Sequence, residues 1–286
     1  MNSRIHAHGK DRRIFALNLR ESCAQAFLHM ARLRIVTYNI AHGRGLRPIQ
    51  GLQSRRSMQA HLRRLAALLR TLDADVVALQ EIDEHSRWAG NFNQLAYLQE
   101  HAGYAHSLFG RTTRREGIFN LSYGNAFLSR HKLLEGEAVA FGRKQVGEKG
   151  FLFAEVMLAG RTVPLLNLHL NYRSRTARLD QVGQVFRYLE EKHNARAPFW
   201  SVPPLVCGDF NTSRHASDAT TGLLNELKYF GAYTLLPAGG KTFPSPLPTR
   251  ALDFVMVPAA VRVESAEVIR SWLSDHRPVR VELTLR

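Results

Sequence analysis

A mixed α/β domain is predicted for residues 33–286, and three observations predict it. Apolar runs with strand-like bounds alternate with segments of helical period along the whole stretch. Apolar residues make up 45% of the chain, which is normal for a packed domain and too high for a disordered one. Several of the apolar runs terminate or begin at a polar residue able to do chemistry: Asn39, Glu81, His169, Asp209 with Asn211, and Asp253.

The elements follow in order. LRIVTYNI (33–40) is a β-rich run that ends polar. Residues 56–71 place Leu62, Leu65, Ala66 and Leu69 at helical spacing with arginines opposite. DADVVALQE (73–81) reads as a buried strand ending in a carboxylate, and 92–101 reads as a helix. Shorter strands are expected around 104–109, 124–128, 133–141, 151–158 and 162–170. Leu179, Val182, Phe186 and Leu189 mark a helix over 176–193. PPLVCGDFN (203–211) is an apolar run with a polar end, and LDFVMV (252–257), VRVESAEVI (261–269) and PVRVELTL (278–285) close the chain as strands. The stretch PSPLPTR (244–250) reads as an ordered loop.

Residues 1–32 are expected to be a loosely ordered extension. They are basic at the front, and Asn18, Arg20 and Glu21 interrupt the apolar run a signal peptide needs. The lack of a recognisable export signal favours the cytoplasm. Apolar stretches reach only about six residues, against roughly 20 for a spanning helix. Two cysteines, Cys23 and Cys207, give neither a disulfide framework nor a thiolate zinc site. Lys plus Arg is 39 and Asp plus Glu is 24, so the formal charge is +15, and only seven of the cations are lysine. Guanidinium groups pair with phosphate oxygens in a fork, which points to an anionic partner.

The polar ends suit one chemistry better than others. No GxSxG elbow, P-loop or HExxH helix is present. Carboxylates, amides and histidines suit metal-assisted hydrolysis of a phosphate ester, because Mg²⁺ prefers a few hard oxygens and a carboxylate can deprotonate water. In GDFN (208–211), Gly208 permits a tight turn, and Asp209 and Asn211 stand two apart and so face one side of an extended chain. An Asx-turn closing a strand accounts for the same residues. In SDHRPV (274–279), Asp275 and His276 precede Pro278 at the entry to the last strand. Asp253 can fix a histidine tautomer by accepting its ring N–H. His169 in LLNLHLNY also reads as a core histidine, and Asn125 in YGNAFLSR as a turn residue.

Taken in order, TYNI, LQEID, GNAFLSR, LNLHL, GDFN, LDFV and SDHRPV resemble the endonuclease/exonuclease/phosphatase superfamily over about 33–284. This is the fold of deoxyribonuclease I, exonuclease III-type repair nucleases, neutral sphingomyelinases and inositol-polyphosphate 5-phosphatases. The resemblance implies a four-layer αββα sandwich, two mixed sheets face to face with helices outside, and a site at one end of the sheets. It implies Mg²⁺ (or Mn²⁺) held by Glu81 with Asn39 beside it and Asp275 as an auxiliary carboxylate. It implies that Asp209 orients or deprotonates the attacking water, that Asn211 fixes phosphate or water, and that His169 and His276 flank the scissile phosphate. Asp253 would then polarise His276, and Asn125 would contact substrate phosphate.

Among substrates, the expectation is a nuclease acting on nucleic acid. Arg173, Arg175 and Arg178 directly follow the His169 strand and belong on the rim of such a site. LQEID is closer to the deoxyribonuclease I and sphingomyelinase branches than to the LQET of repair nucleases. Anionic phospholipid, or a small-molecule phosphodiester or phosphomonoester, is the alternative. A nucleic-acid-binding module without catalysis is disfavoured by the presence of Asp209 and His276. A monomer is expected.

Overall fold

The structure is a computed structural model, and it describes residues 31–142, 147–212 and 218–285. The expected extension lies outside the described residues, except that Ala31 and Arg32 already belong to the first strand. That strand, β1 (Ala31–Asn39), is followed by α1 (Arg55–Leu72), β2 (Val76–Asp83) and α2 (Gln94–Ala102). Next come β3 (His106–Arg115), β4 (Leu121–Ser129), β5 (Leu133–Ala140), β6 (Gly150–Leu158) and β7 (Arg161–His169). The chain then forms α3 (Arg175–Arg196), β8 (Leu205–Asp209), α4 (Ala219–Glu226), β9 (Tyr233–Leu236), β10 (Asp253–Pro258), β11 (Val261–Val268) and β12 (Val279–Leu285).

Two six-stranded mixed sheets result, in the orders β11-β12-β1-β2-β4-β3 and β5-β6-β7-β8-β10-β9. Alternation of side chains along each strand divides the apolar residues between two layers. In β1, Leu33 and Ile35 join the core between the sheets, together with Phe127, Leu152, Leu165 and Val255. Val36 and Tyr38, offset from them, pack outward onto Met58, Leu62, Leu65 and Leu69 of α1 and Leu98 of α2. The second sheet repeats the arrangement, with Phe153, Leu168 and Phe254 outward against Val182, Val185 and Leu189 of α3 and Leu223 of α4. Helix, sheet, sheet, helix is the four-layer sandwich the resemblance implies.

Helix α1 starts where Ser54 accepts the amide of Ser57, and ends where Asp73 takes a left-handed conformation. Burying one of its leucines contributes roughly 1.5–3 kcal/mol. The buried face of α3 is Gln181, Val182, Val185 and Leu189, whereas Leu179 is exposed, so the helix is turned from the stripe read in the sequence. Helix α4 and strand β9 were not expected. Strand β9 has four residues at a sheet edge and only Leu236 is buried, so it carries little alternation to read.

Register places the polar strand ends together. Strands β7 and β8 run parallel with His169 opposite Asp209, and β10 pairs Asp253 with Asp209. Strands β1 and β2 run parallel with Asn39 opposite Gln80. A buried polar ladder ties the two sheets just below. Asn167 donates to the carbonyls of Leu79 (2.9 Å) and Ala126 (3.1 Å), and its oxygen accepts from Gln80 (2.7 Å). Because those partners lie on the opposite sheet, the ladder fixes how the sheets face each other at this end.

Candidate active site

A cavity of about 370 Å³ opens at this end of the sandwich, lined by Asn39, Glu81, Lys149, His169, Asp209 and His276, with Asn211 and Asp275 also on its wall. The two sheets therefore bring one polar end each. Glu81 reaches it through a break in the pairing of β2 with β4, where the register shifts between Leu79 and Ile82. Its φ of 53° is left-handed, a strained setting for a glutamate and one that a bulge uses to re-aim a side chain.

Gly208 does a different job from the tight turn expected of it. It lies inside β8, and a Cβ there would stand 1.9 Å from the carbonyl oxygen of Leu168. Only glycine lets β7 and β8 approach this closely, which holds Asp209 level with His169. Asp209 is nearly fully buried. Its Oδ1 accepts the Asn211 amide at 2.9 Å and its Oδ2 accepts the Asn39 side chain at 3.0 Å. Asn211 is left-handed (φ 51°), so an Asx-turn, not plain extension, orients the pair. Burial pushes the Asp209 carboxyl above its ordinary range, and the nearby histidines only partly oppose this.

His276 sits on a segment tied to its surroundings at several points. Ser274 donates to the Asn39 carbonyl (2.7 Å), the Ser245 amide donates to the Asp275 carbonyl (2.7 Å), and the Arg277 amide donates to Thr242 (2.8 Å). Nδ1 of His276 lies 2.9 Å from Asp253 Oδ2, and its Nε2 lies 3.7 Å from Asp209 Oδ2. Burial alone would lower its proton affinity, but Asp253 and Asp209 outweigh that and raise its pKa to about 10. His169 has the opposite setting. Its Nε2 is 3.4 Å from Asp209 Oδ2, while Lys149 Nζ is 3.4 Å from its Nδ1. Burial, reinforced by Lys149, lowers its pKa to about 3. A neutral ring accepting from an ammonium at Nδ1 carries its hydrogen on Nε2, which faces Asp209.

Four further groups at the site, Lys149, His42, Asp83 and Trp88, went unread in the sequence. Lys149 Nζ is 2.9 Å from Glu81 Oε1. His42 Nε2 is 3.6 Å from Glu81 Oε2, and its Nδ1 is 2.7 Å from the buried Asp83. Trp88 donates its indole N–H to the other oxygen of Asp83 at 2.8 Å. Burial opposes ionisation of Glu81, but Lys149 and His42 outweigh it and hold the carboxyl well below the usual range. The available signals were spacing, with Asp83 two residues after Glu81, and a lysine set directly before the apolar run GFLFAEV.

Asn125 does not line the main cavity. It is buried behind Glu81 and Lys149, and its amide donates to the carbonyls of Gly150 (3.1 Å) and Asn167 (3.0 Å). Arg173 and Arg175 are exposed beyond the end of β7, with Arg173 over the ring of Tyr172, which does line the cavity. Asp275 is engaged by the guanidinium of Arg44.

The donor set fits a hard divalent cation. Carboxylates of Glu81, Asp209 and Asp275 line the cavity together with the amides of Asn39 and Asn211, and no thiol does. Ligand atoms of Asp209, Asp253 and His276 lie within 4.8 Å of one another, and Asp253 Oδ1 is buried with no hydrogen-bond partner.

The profile of the Endonuclease/Exonuclease/phosphatase family matches residues 36–276. The chain belongs to this family. Its members are phosphoester hydrolases and generally depend on a divalent metal. Among solved structures, an endonuclease/exonuclease/phosphatase from Beutenbergia cavernae is similar at 22% identity and a TM-score of 0.68, covering 89% of this chain and 72% of that one. A mannosyl-6-phosphatase from Bacteroides thetaiotaomicron is similar at 17% identity and a TM-score of 0.64, covering 88% and 99%. A sphingomyelinase C from Streptomyces griseocarneus is similar at 19% identity and a TM-score of 0.57, covering 89% and 99%. At these identities the likeness shows the family fold. A comparison with curated protein sequences finds no match.

Proposed function

We propose that this chain hydrolyses a phosphodiester with the help of Mg²⁺ or Mn²⁺. The observation that carries the reading is the shared carboxylate: Asp209 lies between a neutral His169 and a protonated His276 in one cavity. Glu81, with Asn39 and Asp275, would hold the cation, which supplies charge neutralisation at the phosphoryl oxygens. Asp209 accepts the proton of the attacking water, a task its raised proton affinity favours. Asn211 fixes that water or a phosphoryl oxygen. His276, kept cationic by Asp253, stabilises the developing charge or protonates the leaving oxygen. His169 donates its Nε2 hydrogen to the phosphate. Asn125 supports the site from behind, and Arg173 and Arg175 attract the substrate at the rim.

Nucleic acid is the first substrate expected from the arginine excess, yet a guanidinium rim serves any phosphate array. Hydrolysis of bis-p-nitrophenyl phosphate tests the reaction itself. Activity is expected with Mg²⁺, abolished by EDTA, and lowered about 10²–10⁴-fold by Asp209→Ala. Full activity in chelator or in Asp209→Ala would remove this mechanism.

A further inference from the structure

We infer that the end of the sandwich carrying the cavity is a docking face for an anionic phospholipid surface. The inference rests on the phosphodiesterase reading and names the substrate class for that same site. Its basis is where the large exposed apolar side chains stand. Among the described residues there are eleven, and eight lie on loops at the cavity end.

The register defines that end. Gly150 pairs with His169 and Asp253 with Asp209, while Val268 pairs with Val279, just after His276. Leu46, Ile49 and Leu52 stand on the segment after β1, with Leu52 75% exposed. Ile118 and Phe119 form the tip between β3 and β4, at 78% and 63%. Leu247 stands on the loop before β10 at 80%, and Trp272 on the loop before β12. These loops come from both sheets, so apolar tips surround the cavity on several sides. Their concentration at the one end that carries the cavity is what marks an interaction surface.

The composition decides between a lipid surface and a nucleic acid. Five of the eight are leucine or isoleucine, with neither a ring to stack on bases nor a polar tip to meet them. Saturated side chains gain most from hydrocarbon. Each exposed aromatic of the set carries an arginine. Guanidinium carbons lie 5.2 Å from the ring centre of Phe119 (Arg87), 5.0 Å from that of Tyr172 (Arg173) and 5.2 Å from that of Trp272 (Arg270). An apolar tip beside a cation matches the boundary where lipid phosphates overlie acyl chains. A groove of about 470 Å³ containing Leu46, Arg47, Arg64 and Trp272 shares Arg44 with the catalytic cavity. A lipid held at the surface would thus lie beside the reacting centre.

Vesicle co-sedimentation tests this on the full chain. Binding is expected to phosphatidylcholine vesicles containing phosphatidylglycerol, and to weaken on pure phosphatidylcholine. The variant Leu52→Ser/Ile118→Ser/Phe119→Ser/Trp272→Ser, changed only at exposed positions, should lose about tenfold or more in partition. Its hydrolysis of bis-p-nitrophenyl phosphate should be unchanged, while hydrolysis of vesicle phospholipid falls. Wild-type protein that ignores vesicles yet cleaves the soluble diester would overturn this inference and leave the catalytic reading intact. Vesicle binding without any diester cleavage would remove the catalytic reading and the substrate assignment with it, leaving only a lipid-docking face. Loss of DNA binding, or of a dimer seen by sedimentation, in the quadruple variant without a change on vesicles would assign the face to another partner and end the proposal.

Discussion

Lys149→Met is the sharpest probe of how the cavity balances its charges. Lys149 Nζ lies 2.9 Å from Glu81 Oε1, with side chains only 10% and 20% exposed. Removing one partner of a fully buried pair costs about 3–5 kcal/mol, because the other charge is left uncompensated. Here the loss is smaller, since Glu81 opens to the cavity and keeps His42 at 3.6 Å. About 2 kcal/mol is the expected cost, or roughly 4–8 °C in melting temperature for a domain of this size. Methionine retains most of the stem volume, so packing contributes little to the change. The melt should be run in EDTA and again in Mg²⁺. A cation held by Glu81 as proposed would compete with Lys149 for that carboxylate, so the variant should gain more from Mg²⁺ than the parent. Saturation at a hundredfold excess over Kd is worth about 2.7 kcal/mol, enough to recover the whole deficit. A variant that melts with the parent in EDTA would show that Lys149 does not compensate Glu81. Equal Mg²⁺ gains in both proteins would show that the cation binds elsewhere.

Further outcomes follow from the same geometry. Asp253→Asn removes the charge that holds the proton on His276, so the alkaline limit of activity should fall from near pH 10 toward neutrality. The pH–rate profile checks it, and the loss should be larger for an alkyl leaving group than for p-nitrophenolate, which leaves without a proton. His276, raised from 6.5 to about 10, contributes stability fully present below pH 6.5 and lost as pH rises to about 10. His169, lowered from 6.5 to about 3, contributes stability present above pH 6.5 and lost as pH falls toward 3. Denaturant midpoints of His276→Ala and His169→Ala across pH should each flatten one limb. Asn167→Leu leaves the carbonyls of Leu79 and Ala126 without their donor inside the core, and should cost about 2–5 kcal/mol in urea unfolding.

Strand ends were legible because an apolar run that stops at Glu81 or Asp209 is a local pattern. The layers were legible only through the family resemblance; the alternation along β1 that separates Ile35 from Val36 is the local pattern that builds them. Contacts between distant strands were not. Lys149 meets Glu81 across 68 positions, and no window of sequence joins them. Gly208 was read as a turn because its need for close approach to Leu168 depends on a neighbouring strand. The exposed tips Leu52, Ile118 and Leu247 gave no signal either, because an isolated apolar residue in a loop looks the same in sequence whether it is buried or displayed.

The two histidines differ in protonation because strand register sets different groups behind them. Both rings are buried, which disfavours the charged form in each. Both also face the same oxygen, at 3.4 Å from His169 and 3.7 Å from His276. What differs is the group behind each ring. Strand β10 pairs Asp253 with Asp209, which sets a carboxylate 2.9 Å from Nδ1 of His276. Strand β6 pairs Gly150 with His169, which sets the preceding residue, Lys149, 3.4 Å from Nδ1 of that ring. One carboxylate thus stands between a ring kept cationic and a ring kept neutral. A slip of one residue in the β8–β10 pairing would send Asp253 to the other face of its sheet and take from His276 the carboxylate that opposes its burial. The acid–base polarity of the cavity is therefore a property of the second sheet's ladder, carried to the site by residues that themselves stand behind the reacting groups.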